Sequence, residues 1–345
     1  MKKLVPIISI CIPTFNGAST IEKTLTKIYE QLTSECEVVI SDDLSTDNTL
    51  AIVKSFEKQS TFIKVFQNDY NLGMDGNFHK VTKLAKGKYV WFCGQDDLLC
   101  EGVVKQALKM LKKDNIGILN MNFAQYDHEM KTCLTKSFFE ESSFDRKIVQ
   151  TYDFLYFKTP EEYFRIYTQP PSFLPSIVML REYWLTTDIE QFYGTHFVQV
   201  GVLLLNMHKN RIGVFNVPLI KGRIPNDQWQ KNGSKLFEIM TGDLVAKNIA
   251  YTLNTKLPYH ILQRDKLRYC LNFVFLLYNA RKTGLIPSLQ TSKQINLALG
   301  KGLLYYLFVY VLLNLNIKML AIPYYSLLLV KKLLLKFSCI SDLRL

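Results

Sequence analysis

Short apolar segments alternate with helical patterns through the first 123 residues, and this alternation restricts the possible folds more than any other feature of the sequence. The segments with the length and apolar content of buried strands are Ile7–Ile12, Glu37–Ser41, Ile63–Gln67, Tyr89–Cys93 and Ile116–Asn120. The first helical pattern begins with Ser19 and Glu22 at the spacing of a capping box, and the third ends at Gly87. A strand–helix–strand repeat of this kind predicts an α/β fold with a doubly wound, mostly parallel sheet.

A polar loop follows each of the first four predicted strands. The loops contain the sequences PTFNGAS, SDDLSTDNT, NDYNLGMDGN and GQDD. Because ligands bind beyond the carboxyl ends of the strands in doubly wound sheets, these loops are expected to meet in one region. They would bring together Asp42, Asp43, Asn71, Asp75, Asp96 and Asp97. Adjacent carboxylates repel each other unless a cation or hydrogen-bond donors offset their charge, so the two pairs indicate a functional site.

The pair Asp96–Asp97 also has a purely structural interpretation. Aspartate is common in the first turn of a helix, and the segment EGVVKQALKML a few residues later has a helical pattern. From this stretch alone, a helix start and a ligand site both remain open.

The composition indicates a folded chain with an anionic partner. Of the 345 residues, 48% are hydrophobic and 21% are charged, which is typical of one large domain or two. The net charge of +12 favours a phosphorylated ligand or an acidic membrane surface, and the sequence has no nucleic-acid-binding motif. The seven cysteines are scattered and contain no C-x-x-C, so reduced thiols of a cytosolic protein are expected instead of disulfides or a zinc site.

Residues 236–345 have a helical pattern and include two apolar stretches. Leu303–Leu313 and Met319–Val330 are shorter than the roughly 18–20 residues of a spanning helix, and Pro323 interrupts the second. Lysines flank the second stretch, and basic flanks favour anionic lipids. We expect amphipathic or hydrophobic helices that lie on the membrane surface. A buried core or oligomer helix and a true membrane span are the alternatives.

The motif-bearing stretches resemble the family 2 glycosyltransferases, whose members have the GT-A nucleotide-diphosphosugar transferase fold. SICIPTFNGASTIEKTL resembles the opening strand and helix of the family, EVVISDDLSTDNT its VVVDDGSTD stretch, and NLGMDGNFHKVTKLAKGKYVWFCGQDD its N-x-G to D-x-D-D stretch. The resemblance implies a catalytic domain over 1–235, with a nucleotide-sugar-binding half (1–123) and an acceptor-side half (124–235), before the helical region 236–345. The G-x-D-D ending and the hydrophobic tail are most similar to bacterial O-antigen transferases of the abequosyltransferase-like kind.

The resemblance also assigns roles to single residues. The residues that it places around the nucleotide are Pro13, Thr14, Phe15, Asp43, Asn71 and Asp96. Phe15 would lie beside the base, and Asp43 would accept the imino proton of a uracil or thymine ring, although it could also cap the following helix. Asp97 would bind Mg²⁺ or Mn²⁺ directly, with Asp96 at the ribose or at the waters of the metal ion. Gly94 stands where many relatives have an acid, which predicts a weaker metal site that the diphosphate and water complete.

Inverting sugar transfer, which the family implies, requires a base that deprotonates the acceptor hydroxyl. The acidic element that supplies the base in the family corresponds here to GTHFVQ, so His196 is the candidate catalytic base beside the metal ligand Asp97. Asp188 and Glu190 are the alternatives, and His196 could instead have a capping or packing role at a helix start.

A later loop, KGRIPNDQWQKNG, follows another predicted strand and would lie near the acceptor. Asn226, Asp227 and Trp229 could close over the substrate, and Lys221 or Arg223 could contact phosphate. An ordinary surface loop with a packed tryptophan is the alternative.

The sequence therefore predicts a metal-assisted, inverting glycosyltransferase. It would move a sugar from a nucleotide-diphosphate donor to a hydroxyl of a glycan acceptor, carried on a polyprenyl diphosphate, in the synthesis of a surface polysaccharide such as O-antigen. We expect a cytoplasmic protein held peripherally on the inner face of the cell membrane, where an anionic surface would attract it. A nucleotidyltransferase of related fold and a catalytically inactive membrane-associated scaffold are the alternatives.

Overall fold

The computed structural model describes residues 5–113, 115–224, 233–284, 289–299, 311–314, 318–320 and 323–324. The chain divides into two compact units. The first contains the residues up to Ile224 together with Ala250–Pro258, and the second contains Pro225–Ile249 together with the residues from Tyr259 onward.

The first unit is built on one mixed sheet, in which the described residues contribute ten strands. In chain order the strands are β1 (Ile8–Thr14), β2 (Cys36–Asp42), β3 (Ile63–Gln67), β4 (Tyr89–Phe92), β5 (Leu98–Leu99), β6 (Ile116–Tyr126), β7 (Cys133–Thr135), β8 (Phe154–Phe157), β9 (Ile177–Leu180) and β10 (Arg211–Arg223). Their order in the sheet is β3-β2-β1-β4-β9-β6-β10-β5, with β7 paired to β6 and β8 paired to β10.

The first four strands pair in parallel, and so do β6 and β10. Strand β9 is antiparallel to both of its neighbours, β4 and β6. The short strands β5, β7 and β8 are antiparallel to their partners. The prediction of an α/β fold with a mostly parallel sheet is confirmed. A strand at Ser176–Leu180 also follows from the sequence, but the antiparallel direction of β9 and its place in the middle of the sheet do not.

Helices connect the strands of this unit. They are α1 (Ile21–Tyr29), α2 (Thr49–Gln59), α3 (Gly73–Leu84), α4 (Val103–Lys113), α5 (Phe138–Glu141), α6 (Arg146–Thr151), α7 (Pro160–Ile166), α8 (Arg181–Thr186) and α9 (Val198–Asn206). Helix α3 packs on β1 and β2, and α4 packs on β6. The apolar residues of α4 recur at helical spacing and are buried, which explains why this segment folds as a surface helix against the sheet.

Two predicted helix boundaries are wrong. Helix α1 starts at Ile21 after Thr20, whose side chain makes no capping hydrogen bond, so Ser19 and Glu22 do not form a capping box. Helix α3 ends at Leu84, before Gly87. The N–H of Gly87 donates to Oγ of Ser9 at 2.7 Å, and a Cβ atom on residue 87 would lie only 2.6 Å from the backbone nitrogen of Ser9. Glycine is therefore required there for a close approach to β1 and not for helix termination.

The proline-rich segment before β9 is fixed by buried hydrogen-bond donors. The indole N–H of Trp91, on β4, donates to the carbonyl of Pro175 at 2.7 Å, and Nε2 of Gln199 donates to the carbonyl of Ser172 at 3.0 Å. Trp91 is fully buried, so the loop is attached to the centre of the sheet. The segment thus forms a fixed wall that places Leu174 at the carboxyl edge of β4.

The second unit is helical over its described residues, which form α10 (Gly233–Leu253, whose last four residues belong to the first unit), α11 (Tyr259–Lys282), α12 (Leu289–Leu299) and α13 (Val311–Asn314). Nζ of the buried Lys247 lies 2.7 Å from Asp243 and 3.2 Å from Asp265, which links α10 to α11. Burial alone would lower the pKa of Lys247, but the two aspartates outweigh it and raise the pKa.

None of the helices formed by the described residues has both the length and the apolarity needed to cross a membrane. Of the two predicted membrane-surface stretches, Leu303–Leu313 and Met319–Val330, only 311–313, 319–320 and 323–324 are described. The rest lies outside the described residues, and so do Asn226, Asp227 and Trp229. The membrane-surface helices therefore stay a prediction.

Candidate active site

The carboxyl ends of the first four strands form one edge of the sheet. In the parallel register Thr14 lies opposite Asp42, and Asp42 lies opposite Gln67. A cleft of about 350 Å³ opens at this edge. Its lining includes the six residues for which the sequence predicted a nucleotide contact, Pro13, Thr14, Phe15, Asp43, Asn71 and Asp96.

Asp43 is buried in this cleft and is held by the start of α3. Its Oδ1 accepts hydrogen bonds from Nδ2 of Asn68 and from the backbone N–H of Leu72, both at 2.8 Å. Its backbone carbonyl accepts a bond from Nδ2 of Asn71 at 3.2 Å. Among the described residues no donor reaches the second carboxylate oxygen, so that oxygen can accept an N–H from a ligand. Helix α2 is not capped by Asp43, because the side chain of Asp47 accepts the N–H of Thr49 there.

Gln95 joins the loop after β4 to the loop after β1, and the sequence did not single it out. Its Oε1 accepts hydrogen bonds from Oγ1 of Thr14 at 2.5 Å and from the N–H of Phe15 at 3.0 Å, and its Nε2 donates to the carbonyl of Phe15 at 3.2 Å. A Cβ atom on Gly17 would lie 2.4 Å from Oε1 of Gln95, so this junction requires glycine at residue 17. The glycine in FNGAS was the one available signal of a close approach.

Asp96 and Asp97 lie between the end of β4 and the two-residue strand β5. Helix α4 begins later, at Val103, so the pair does not form the first turn of a helix and that interpretation is wrong. A Cβ atom on Gly94 would lie 2.5 Å from Oδ2 of Asp97 and 2.9 Å from Oδ1 of Asp96. The two carboxylates therefore converge in a space that only glycine at residue 94 leaves open.

Arg223, the last residue of β10, holds the acidic pair. Its backbone N–H donates to Oδ1 of Asp97 and its Nε donates to the carbonyl of Asp96, both at 3.0 Å, and another guanidinium N–H donates to the carbonyl of His128. Burial raises the pKa of Asp97 well above its usual value, and the charge of Asp96 raises it further, against the N–H and the charge of Arg223. Burial also raises the pKa of Asp96. Both carboxylates are thus costly to ionise unless a cation binds them.

The acidic pair fits a divalent cation only as part of a ligand set. Within the described part of the chain, no group of three His, Cys, Asp or Glu side chains could hold a metal ion. Two convergent carboxylate oxygens are hard donors that suit Mg²⁺ or Mn²⁺, and a diphosphate and water can supply the remaining oxygens.

His196 lies in a loop that is attached to the start of α3. Asp75, in the first turn of α3, accepts the backbone N–H of Gly194 on Oδ2 at 2.8 Å. Helix α9 starts at Val198 with Phe197 as its preceding residue, so His196 is not the capping residue of that helix. His196 is half-buried and is not part of the lining of the cleft, and neither is Asp97.

The other two candidates for the base differ from His196 in exposure and, like His196, lie outside the lining of the cleft. Asp188 and Glu190 are exposed, and neither lines the cleft. Asp75 was one of the polar loop residues in the sequence, but its contact with Gly194 joins positions 119 residues apart and had no local signal.

Comparison with known proteins gives the family. Residues 9–185, slightly more than half of the chain, match the family model for Glycosyl transferase family 2. The chain belongs to this family. It is 28% identical over 207 residues to the GalNAc(5)-diNAcBac-PP-undecaprenol beta-1,3-glucosyltransferase of Campylobacter jejuni, an alignment that spans 60% of this chain and 61% of the relative. It is also 28% identical over 244 residues to the abequosyltransferase RfbV of Salmonella typhimurium, over 66% of this chain and 69% of the relative.

Solved structures show the same fold. Staphylococcus aureus TarS (1–349) in complex with UDP-GlcNAc superposes with a TM-score of 0.53 at 20% identity, over 85% of this chain and 79% of that structure. The mannosyltransferase PcManGT of Pyrobaculum calidifontis, in complex with GDP-Man and Mn²⁺, superposes with a TM-score of 0.52 at 16% identity, over 84% of this chain and 78% of that structure. The predicted GT-A fold is therefore confirmed, while these identities carry no information on substrate.

Proposed function

We propose that this protein transfers a sugar from a nucleotide-diphosphate donor to a hydroxyl of a glycan acceptor, with inversion at the anomeric carbon. The observation that carries the proposal is the cleft at the carboxyl edge of the sheet, which is lined by an accepting carboxylate, an exposed aromatic ring and Asp96 of the acidic pair. These are the groups that a base, a ribose and a diphosphate require.

The nucleotide would occupy the cleft between the loops after β1 and β2. The free oxygen of Asp43 would accept the imino proton of the base, and Phe15, which is 45% exposed, would lie against its ring. Thr14 and Gln95 would fix the backbone that presents Phe15. Asn71 would contact the nucleotide from the side of α3.

The diphosphate would lie at the acidic pair. Asp97 would hold Mg²⁺ or Mn²⁺ directly and Asp96 would contact the ribose or the waters of the ion. The bound ion would supply positive charge that neutralises the departing diphosphate. Arg223 would keep both carboxylates converged and would add a fixed positive charge beside the leaving group.

His196 would act as the base that takes the proton of the acceptor hydroxyl as this oxygen attacks the anomeric carbon. Two observations favour it over Asp188 and Glu190. The loop that carries His196 is attached to the end of α3 that also lines the cleft through Gly73 and Met74, and His196 is half-buried whereas the two acids are exposed.

The acceptor would be a glycan on a polyprenyl diphosphate, at the inner face of the cell membrane, in surface-polysaccharide synthesis. The name of the C. jejuni relative contains such a lipid-linked glycan, and the net charge of +12 suits an anionic surface. In this proposal residues 1–235 carry out catalysis and the helical region 236–345 faces the membrane. The family match supports this reaction over a nucleotidyltransferase or an inactive scaffold.

A donor panel on the purified full chain tests the proposal. UDP-, dTDP-, GDP- and CDP-sugars are screened with Mg²⁺ or Mn²⁺ for a rise in melting temperature and for slow donor hydrolysis. One donor class should give both effects, Asp97→Ala should abolish both, and the control Asp69→Ala, at an exposed aspartate after β3, should retain them. Absence of any metal-dependent shift across the panel would contradict the proposal.

A further inference from the structure

The loop Gly194–His196 has a backbone conformation that needs external support. Gly194 and His196 both have positive φ angles, of 79° and 64°. A left-handed conformation is unfavourable for a residue with a side chain, so His196 adopts it because its surroundings impose it. Such a conformation at a candidate base indicates that the position of the imidazole matters.

Part of the support comes from within the loop. Oγ1 of Thr195 donates to the carbonyl of Phe192 at 2.7 Å and accepts the N–H of Phe197 at 3.1 Å. These bonds close the turn on itself. They fix its shape but do not attach it to the part of the protein that forms the cleft.

Asp75 makes that attachment. Its side chain is 8% exposed and accepts the N–H of Gly194 at 2.8 Å. Burial raises the pKa of Asp75, whereas the Gly194 N–H, the charge of His196 and the backbone N–H of His196 act to lower it. The carboxylate and the imidazole are thus close enough for their charges to interact.

Asp75 does not line the cleft, although Gly73, Met74 and Asn77 around it do. It therefore lies behind the surface that meets the donor and can influence the reaction only through the loop. When His196 accepts a proton, the imidazolium gains an attraction to a carboxylate in a poorly solvated place, where charges interact strongly.

We propose that Asp75 is a positioning residue, which holds the loop of His196 against the start of α3 and stabilises the protonated form of His196 during sugar transfer. This inference rests on the proposed role of His196 as the base. It assigns a pair formed by an aspartate and a histidine where the resemblance implied a single acid.

Other titratable groups also lie in this region. Tyr193, in the same loop, interacts with the charges of both Asp75 and Glu190. His79, one turn further along α3, interacts with Glu190 and accepts the indole N–H of Trp184 on Nδ1 at 3.3 Å. Glu190 is thus a second carboxylate whose charge acts in this region, and it makes a matched control.

The first measurement needs no ligand. The full chain has five histidines, at positions 79, 128, 196, 208 and 260, and isotope labelling of their rings allows each to be titrated by NMR, with His196→Gln assigning the signal. Asp75→Asn keeps an oxygen for the Gly194 N–H but removes the charge, so the pKa of His196 should fall. Glu190→Gln should shift it much less. An unchanged titration of His196 in Asp75→Asn, or an equal shift in Glu190→Gln, would overturn the inference.

The second measurement uses the nucleotide-sugar that gives the largest thermal shift in the donor panel. Asp75→Asn should lower kcat about tenfold or more with the donor KM within about twofold, and the acid limb of the kcat/KM profile should move to lower pH. Asp75→Glu should recover part of kcat. In the His196→Gln background, Asp75→Asn should cost nothing further, because the two act as a unit.

The outcomes separate this inference from the proposed function. If His196→Gln retains full activity, the assignment of His196 as the base is wrong, and the positioning role of Asp75 is refuted as well. If His196→Gln is inactive while Asp75→Asn keeps kcat, only the positioning role is refuted. If Asp75→Asn does not fold, Asp75→Ser, which also removes the charge, decides in the same titration, and an unchanged His196 pKa then counts against the proposal.

Discussion

Replacing Asp97 by asparagine is expected to stabilise the metal-free protein and to abolish sugar transfer. Asparagine keeps an oxygen for the N–H of Arg223 but removes one of two buried charges. Oδ2 of Asp97 and Oδ1 of Asp96 lie 2.5 Å and 2.9 Å from one point, the Cβ position of residue 94, so they are at most 5.4 Å apart. At an effective dielectric constant of about 20, unit charges at that distance repel by about 3 kcal/mol. Because Arg223 offsets part of this, the free energy of unfolding should rise by about 1–2 kcal/mol at pH 8.

The gain in stability should depend on pH. The pKa of Asp97 is raised in the folded protein, so the folded state keeps its proton to a higher pH than the unfolded state does. Wild-type stability at this position is therefore greatest in acid and falls as the pH rises from about 4 through the folded-state pKa. The variant has no titratable group at residue 97. The difference in the free energy of unfolding between variant and wild type should therefore be small near pH 4 and grow towards pH 8.

Urea unfolding followed by circular dichroism, in a chelating buffer between pH 4.5 and pH 8, measures this difference. Asp69→Asn, at an exposed aspartate, should change the free energy of unfolding by less than about 0.5 kcal/mol. Addition of Mn²⁺ should reduce the difference in the free energy of unfolding, because the ion stabilises the wild type more than the variant. The reasoning is refuted if the variant is less stable than wild type at pH 8, or if the difference does not change with pH.

Three further substitutions test separate parts of the structure. Gln95→Ala removes three hydrogen bonds from the loop that presents the nucleotide, so calorimetry should show affinity for the preferred nucleoside diphosphate about tenfold weaker, with melting temperature nearly unchanged. Trp91→Phe leaves the buried carbonyl of Pro175 without its donor and should lower the free energy of unfolding by about 1–3 kcal/mol in urea. Lys247→Met leaves two half-buried aspartates without the buried cation that they share, while Arg264 still pairs with Asp265, and should cost about 2–3 kcal/mol by the same assay.

The strands of the first half could be predicted from sequence because each is a short apolar run bounded by polar loops. Ile63–Gln67 has the predicted bounds, and the others differ by one or two residues at most ends, except that β6 continues to Tyr126. The alternation with helices then predicted that the strands are parallel. Parallel strands in turn predicted that their carboxyl ends meet at one edge of the sheet. Six predicted nucleotide residues lie in one cleft for this reason.

The features that the sequence missed depend on pairings between distant residues. Strand β9 inserts antiparallel beside β4, with Tyr89 opposite Leu180, and no local pattern encodes that neighbour. Gln95 looked like an ordinary polar residue until its partners on the β1 loop were known. The end of α3 was missed for a related reason, because Gly87 is required for the contact with Ser9. The sequence alone does not distinguish a glycine that ends a helix from one that allows a neighbouring strand to approach closely.

Asp47 differs physically from Asp75 and Asp97, the aspartates to which we assign roles in the reaction. Asp47 is exposed at the start of α2, where hydrogen bonds from Thr49 and Ala18 outweigh slight burial and lower its pKa, so its charge stabilises the fold. Asp97 and Asp75 are buried and accept backbone N–H groups, and burial raises the pKa of both. Their charges therefore cost stability in the absence of a neighbouring positive charge. In the proposed mechanism, a cation at the acidic pair or a proton on His196 would relieve that cost. The two carboxylates would then bind the incoming positive charge more tightly than surface carboxylates would, which is what a departing diphosphate and a deprotonated acceptor require.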